Sequence, residues 1–228
     1  MKIKRQVSVD VYGDFACFTN PTFKLDRTTY DIPTPSAARG ILSAIYLKPL
    51  EFYYEIVKIE VMNDIKHIDI KKNELKNGKI PNSISKIAPI NREDDITQKS
   101  NRYLKNVYYR ITANIVKQDA WNGSIDALVA QFNRRVETGK CFYQPFLGTK
   151  ECVCYFSPVT TSIKPIQLSK DFGIMVYDIF DIRKNIPLDA KNQNEVTKFT
   201  FYKADMVNGT IFVPPYEQII KEDNNNAW

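Results

Sequence analysis

Residues 34–49 read Thr-Pro-Ser-Ala-Ala-Arg-Gly-Ile-Leu-Ser-Ala-Ile-Tyr-Leu-Lys-Pro, a helix bracketed by its own start and stop signals. Thr34 suits the N-cap, and Pro35 suits the first helical position, where a missing N–H costs nothing. Pro49 ends the segment, with Lys48 favourably placed in the last turn. Ala37, Ala38, Ile41, Leu42, Ala44 and Ile45 form one broad face that must be covered. Ser36, Arg39, Ser43 and Tyr46 recur on another face at spacings of three and four. A cation, two hydroxyls and a phenol on one face suit an anionic ligand. The plainer alternative leaves Arg39 in water and makes Tyr46 a rim residue, with its ring on the core.

Around this helix the chain alternates in the manner of strands. Ile3, Arg5, Val7, Val9 and Val11 alternate with polar residues over 3–12, and Gly13-Asp14 is expected to turn the chain. Residues 52–72 read as a long strand or a bent hairpin, rich in β-branched and aromatic side chains. Residues 76–98 hold two prolines without sustained periodicity and read as a long loop. A strand is expected over 103–117. A helix capped by Ser124 follows, with Arg134 and Arg135 in its last turns and Gly139 closing it. Another strand is expected over 151–156. The order strand, helix, strand, strand, helix, strand predicts an α+β fold with a ferredoxin-like domain over 1–157. Residues 174–182, 197–202 and 210–213 predict three short strands, with turns at 185–187 and 208–209. These make a small antiparallel β-sheet over 158–228, and residues 221–228 are expected to fray.

Charge is what narrows function. The chain of 228 residues carries a formal +6, which favours an anionic partner. Residues 99–117 hold Lys99, Arg102, Lys105, Arg110 and Lys117 without one acid, interleaved with Tyr103, Tyr108 and Tyr109. A solvated strand face accounts for such a run, and so does RNA, whose bases stack on rings while cations hold phosphates. Cys17, Cys141, Cys152 and Cys154 lack zinc-ligand spacing, and His67 is the one histidine. No metal site or cofactor is expected, and reduced, mostly buried thiols fit a cytoplasmic protein. His67 reads as structural, although its ordinary pKa suits a base. No apolar run resembles a signal peptide or a membrane span.

Three stretches carry a resemblance. They are residues 11–19 (Val-Tyr-Gly-Asp-Phe-Ala-Cys-Phe-Thr), the helix with its flanks over 30–49, and residues 132–148 (Phe-Asn-Arg-Arg-Val-Glu-Thr-Gly-Lys-Cys-Phe-Tyr-Gln-Pro-Phe-Leu-Gly). Together they resemble the CRISPR-associated family-five proteins of type I-C (Dvulg) systems. The likeness extends over residues 3 to about 156 and is looser beyond.

The resemblance implies a Cascade subunit in antiviral defence. Such a subunit binds the CRISPR RNA repeat hairpin and 5′ handle, contacts other type I-C Cascade subunits, and cuts the precursor without a metal. The ribose 2′-OH attacks the adjacent phosphate, which calls for a base, an acid and a cation. The family's catalytic tyrosine falls on Tyr46. Its Lys-His pair, counted back without gaps from Phe132, falls on Ala127 and Leu128; counted from Gly123, it falls on Ser124 and Ile125. Lys105, Lys117 and Lys140 are the candidate substitute cations. The RNA-binding set is Arg27, Arg39, Ser43, Arg102, Lys105, Tyr108, Arg110, Lys117, Arg134, Arg135 and Lys140, expected as two groups. The alternatives are a subunit that caps the handle without cutting, and a ferredoxin-like protein-interaction module with no RNA ligand.

Overall fold

The computed structural model describes residues 2–22, 27–75, 96–184, 186–187 and 199–225. In chain order these form β1 (Lys4–Ala16), α1 (Pro35–Ile45), β2 (Phe52–Val61), β3 (His67–Leu75), β4 (Ile96–Lys117), α2 (Ile125–Glu137) and β5 (Tyr155–Ser157). Then come β6 (Lys170–Asp178), β7 (Phe180–Asp181), β8 (Ile186–Pro187), β9 (Thr200–Val207), β10 (Thr210–Phe212) and α3 (Tyr216–Asn225). The result is a mixed α/β fold built on one antiparallel sheet, in the order β5-β1-β4-β2-β10-β9-β6, with β3 also paired to β4.

β4 is the spine of this sheet. Along one edge it pairs with β1, from Lys4↔Val116 to Ala16↔Leu104. Along the other it takes β2 (Phe52↔Lys117 to Val61↔Tyr109) and then β3 (His67↔Leu104 to Leu75↔Ile96). The expected strand or hairpin over 52–72 is thus two strands laid end to end against one neighbour. Asn106, with φ 53°, marks the irregularity in β4 between them. β4 also begins at Ile96, so the expected loop over 76–98 ends earlier; residues 76–95 lie outside the described ones.

Gly13-Asp14 does not turn the chain, because β1 continues to Ala16. A Cβ at Gly13 would stand 2.6 Å from the Val153 carbonyl and 2.8 Å from Leu147 Cδ1. The glycine admits a close approach within a strand. Residues 151–154 do not extend β5. They close a turn in which Leu147 N–H donates to the Cys152 carbonyl at 2.7 Å. Ile186–Pro187, expected within a turn, pairs with β7. β9 begins at Thr200, and the expected strand residues 197–198 fall outside the described ones. Residues 216–225 form a helix where fraying was expected from 221. Its driver is an anchor on the inner side: Tyr216 and Ile219 are buried in the core. β10, β9 and β6 do not stand as a sheet of their own, since β10 pairs with β2 through Ile211↔Ile59.

The helices cover one face of this sheet. Arg5 on β1 ion-pairs with Asp126 on α2 at 3.1 Å, and Val7, Val9 and Val11 follow it at every second position into the core. Gln6, Ser8, Asp10 and Tyr12 therefore take the opposite face. α1 forms as the sequence dictates, with Thr34 Oγ1 accepting from Ala37 N–H at 3.1 Å. It ends before Pro49, at Ile45, and Tyr46 leaves in an extended conformation.

Candidate nucleic-acid interface

The C-terminal ends of α1 and α2 meet, and the sequence between Arg134 and Tyr143 ties them together. Arg135 Nη1 donates to the Ile45 carbonyl at 3.1 Å, a cation on a carbonyl that α1 leaves open. Its guanidinium carbon lies 5.3 Å from the centre of the Tyr46 ring, within cation–π reach. Its Nε is buried without a hydrogen-bond partner among the described residues. Gly139 (φ 65°) closes α2 as expected. The chain then returns to α1, where the N–H groups of Phe142 and Tyr143 both donate to the Ala44 carbonyl, at 2.7 and 3.2 Å.

Between these pieces lies a cleft of about 430 Å³ lined by Gln131, Arg134, Arg135, Thr138, Lys140 and Cys141. Three cations line it and no acid does. Arg134 and Lys140 are exposed, and Arg134 is held by the Gln131 amide oxygen at 2.5 Å. Phe142 and Tyr143 stand exposed beside Lys140, their ring centres 5.7 Å apart. Sequence reasoning missed these two rings, although they sit inside the 132–148 stretch next to Lys140.

Tyr46 itself is only 6% exposed. Its ring contacts Phe52 at 5.2 Å, and its carbonyl accepts from the Tyr54 hydroxyl at 2.9 Å. It does not share an open polar face with Arg39 and Ser43. Burial first, and the Glu51 charge second, raise its pKa, so the phenol stays protonated at neutral pH.

The other expected cations divide by what already holds them. Arg39 was expected to face an anionic ligand. It makes a two-pronged contact with Asp178 at 2.8 and 3.1 Å, and Ser36 donates to the same carboxylate at 3.2 Å. Arg110 and Tyr108 were expected to pair a phosphate contact with a stacked base. Both instead turn onto Asp10, a carboxylate with no exposed surface, at 2.7 Å for Arg110 Nε and 3.0 Å for the Tyr108 hydroxyl. The Thr160 carbonyl takes a further Arg110 N–H at 2.8 Å. Ser43 lines a recess of about 20 Å³ with Arg39, Lys48, Tyr53 and Gln118, space for roughly one water.

A second group sits far along β4. Arg102 makes an exposed two-pronged pair with Asp69 at 2.9 and 3.2 Å. Arg27 lies 3.7 Å from Glu151. Lys105 is exposed, without an ion-pair partner among the described residues. Twelve residue steps along the strand separate it from Lys117, a span of up to about 40 Å. Lys117, whose ammonium lies 5.6 Å from the Trp121 ring centre, stands opposite Phe52, the ring that touches Tyr46. His67 is structural in its contacts, with Nε2 2.9 Å from Asp31, which also receives Lys170 at 2.7 Å. Among the described residues no group of three or more His, Cys, Asp or Glu is placed to hold a metal, and no helix is long and apolar enough to cross a membrane. Burial raises the thiol pKa of Cys17, Cys152 and Cys154, the last to about 12.

Residues 7–214 match a family model described as CRISPR-associated protein, Cas_Cas5d. A protein of Thermus thermophilus named CRISPR pre-crRNA endoribonuclease Cas5d is 31% identical, over 97% of this chain and 98% of its own. One of the same name from Mannheimia succiniciproducens is 32% identical, over 92% of this chain and 96% of its own. Among solved structures, one titled as a CRISPR-associated protein superposes with a TM-score of 0.67 at 24% identity, covering 96% of this chain and 97% of its own. A chain of a CRISPR RNA-guided surveillance complex reaches 0.54 at 10% identity, covering 93% and 92%.

Proposed function

We propose, because this chain belongs to the Cas5d family of CRISPR-associated proteins, that it is a CRISPR pre-crRNA endoribonuclease that keeps hold of the repeat-derived RNA it has cut. The observation that carries this reading is the cleft at the end of α2, where Arg134, Arg135 and Lys140 gather without an acid and Arg135 lies on the Tyr46 ring. Cations draw the phosphates, and the exposed rings of Phe142 and Tyr143 give unpaired bases a surface on which to stack.

The chemistry follows from what each group can do. The 2′-oxygen gives its proton to water and forms a bond to phosphorus as the bond to the 5′-oxygen breaks, leaving a 2′,3′-cyclic phosphate and a 5′-hydroxyl. Negative charge builds on the phosphorane, and the cleft's guanidinium and ammonium groups supply the compensating charge, so the reaction needs no divalent ion. A phenol whose pKa is raised by burial makes a poor base at neutral pH. Tyr46, which keeps its proton at neutral pH and lies under Arg135, is assigned to the leaving 5′-oxygen as donor. Of the three substitute lysines, Lys117 and Lys140 lie toward this end of the fold. Lys105, far along β4, belongs to the binding surface with Arg27 and Arg102.

The fold reading extends in the same way. The strand order β5-β1-β4-β2, with α1 and α2 as the crossovers, supports a ferredoxin-like unit over 1–157 that bears the RNA, braced by 158–228. The partners are the repeat hairpin and 5′ handle of CRISPR RNA, and other Cascade subunits in the cytoplasm. The likeness to a chain of a surveillance complex supports the assembly role.

The test is incubation of the purified chain with its own repeat RNA in EDTA, followed by mapping of both product ends. Cleavage with a cyclic phosphate is expected, and Tyr46→Phe should slow it by about 10²–10⁴-fold while leaving the melting curve intact. Activity restored only by magnesium, or wild-type rates in the Phe variant, would overturn the mechanism. Ala127 and Leu128, the latter buried, favour a second reading in which the chain caps the handle without cutting. Tight binding of RNA that stays intact would select it.

A further inference from the structure

On the sheet face opposite the helices, three tyrosines form a row across three adjacent strands. Tyr12 on β1 lies directly across from Tyr108 on β4 and from Tyr155 on β5. The ring centres are 5.5 Å apart in the first pair and 5.9 Å in the second. Tyr12 is 40% exposed and Tyr155 54%. Tyr108 is half-buried, and its hydroxyl is fixed on Asp10. The row borders a cleft of about 400 Å³, whose other lining includes Asp14, Asn63, Asn106 and Ser157.

Burying three tyrosines would have been the ordinary use of so much ring surface. Here the segment after β5 crosses this face and seals Asp10 and Arg110, with Thr160 N–H donating to Asp10 at 2.8 Å. It leaves Tyr12 and Tyr155 exposed. The polar lining carries amides, a hydroxyl and a carboxylate, the groups that read the edges of bases. Lys105, three residues from Tyr108 along β4, registers with Phe15 and so falls on the other face of the sheet, which leaves ring surface and hydrogen bonds, rather than charge, to draw a ligand here. The contrast is with Ile174, Val207 and Phe212 on the C-terminal strands, an exposed apolar set better suited to a protein.

We infer that the Tyr12–Tyr108–Tyr155 row is a second RNA site, separate from the cleft at the end of α2, on which unpaired bases stack. Tyr108, locked by Asp10, fixes the inner end of the row, and Tyr155 on the edge strand leaves the outer end open. Asp14 accepts from base amino groups.

The probe is a fluorescein-labelled octa-adenylate, which has no hairpin to cut, so binding is read apart from cleavage at the other site. Tyr12→Ala and Tyr155→Ala should each weaken binding of the full chain by about 5- to 100-fold, the loss of one stacked base, and Tyr12→Phe should keep it. The salt dependence should stay unchanged in the tyrosine variants, because each removes a stacked base and no phosphate contact. If Tyr12→Ala melts early, the exposed edge residue Tyr155 decides alone. Wild-type affinity in Tyr155→Ala would overturn the proposal. So would failure of the unaltered chain to bind the octamer while repeat RNA is still cleaved. An unchanged octamer affinity with loss of a co-purifying protein would assign the row to a protein partner instead.

Discussion

Arg110 and Arg134 look interchangeable in the sequence, each a cation in a basic stretch near tyrosine or phenylalanine. In the fold they are opposites. Arg110 is enclosed against a carboxylate that has no exposed surface, and three acceptors share its guanidinium. Arg134 stands exposed at the end of α2, held among the described residues by the uncharged amide of Gln131. Arg39 on Asp178 follows Arg110, and Lys140 follows Arg134. Arg110 on the sheet and Arg39 on α1 are taken up by internal acids, while the meeting point of α1 and α2 leaves its cations facing a cleft. A positive residue reports an anionic ligand only when the fold has not already supplied one.

The sharpest way to break this contrast is Arg110→Ala. It strands Asp10 as a buried charge without its partner, and should destabilise the protein by about 3–5 kcal/mol in a denaturant titration. RNA affinity measured where the variant is still folded should not change. A fall in affinity with no loss of stability would mean that Arg110 leaves Asp10 for a phosphate. Next in size is the pair Arg134→Ala and Lys140→Ala, which should barely alter stability. Each should lower the slope of log affinity for repeat RNA against log salt by about 0.7, and the double variant by about 1.4. Slopes equal to the wild type would leave the cleft without phosphate contacts.

The smallest effect comes from an intermediate case. Glu151 accepts from Lys72 at 2.8 Å and from the Tyr103 hydroxyl at 3.0 Å, and these contacts hold its pKa near 2 rather than 4.5. A carboxylate with a lowered folded pKa stabilises the fold above its unfolded value, and that contribution is lost as pH falls toward the folded one. Because the side chain is 42% exposed, the contribution should stay below about 1 kcal/mol. Melting temperatures of wild type and Glu151→Gln should therefore differ slightly at neutral pH and converge as pH drops from 4.5 to 2. Parallel curves over that window would remove Glu151 from the group of internally satisfied charges.

Local chemistry was legible and distant pairing was not. Thr34-Pro35, the β1 alternation and the apolar spacing from Ile125 to Gly139 announced their elements, because caps and periodicity act within a few residues; Ser124 holds the N-cap position of α2 without a side-chain capping bond. Asp178 lies 139 residues from Arg39, and Asp10 lies 100 from Arg110. Nothing near either arginine signals its carboxylate. Gly13 was misread for the same reason, since the atoms that require a glycine there belong to Val153 and Leu147. The burial of Tyr46 likewise depends on Phe52 and Arg135, brought in by other elements. Of the proposed site, the sequence displayed Arg134, Arg135 and Lys140. Phe142 and Tyr143 needed the return of the chain onto Ala44 before their exposure could be seen.

The double-edged pairing of β4 has a consequence for synthesis. β1 emerges first, yet its ladder partners lie about 100 residues further on. At about 5–20 residues per second, those 13 strand residues wait roughly 5–20 s before β4 exists to receive them. An unpaired strand is a template for another chain, and Lys4, Arg5, Asp10 and Asp14 place charge along its length during the wait. A nascent chain halted before residue 104 can make none of the β1–β4 pairs. Truncated products therefore expose along β1 an edge that the finished molecule covers with β4.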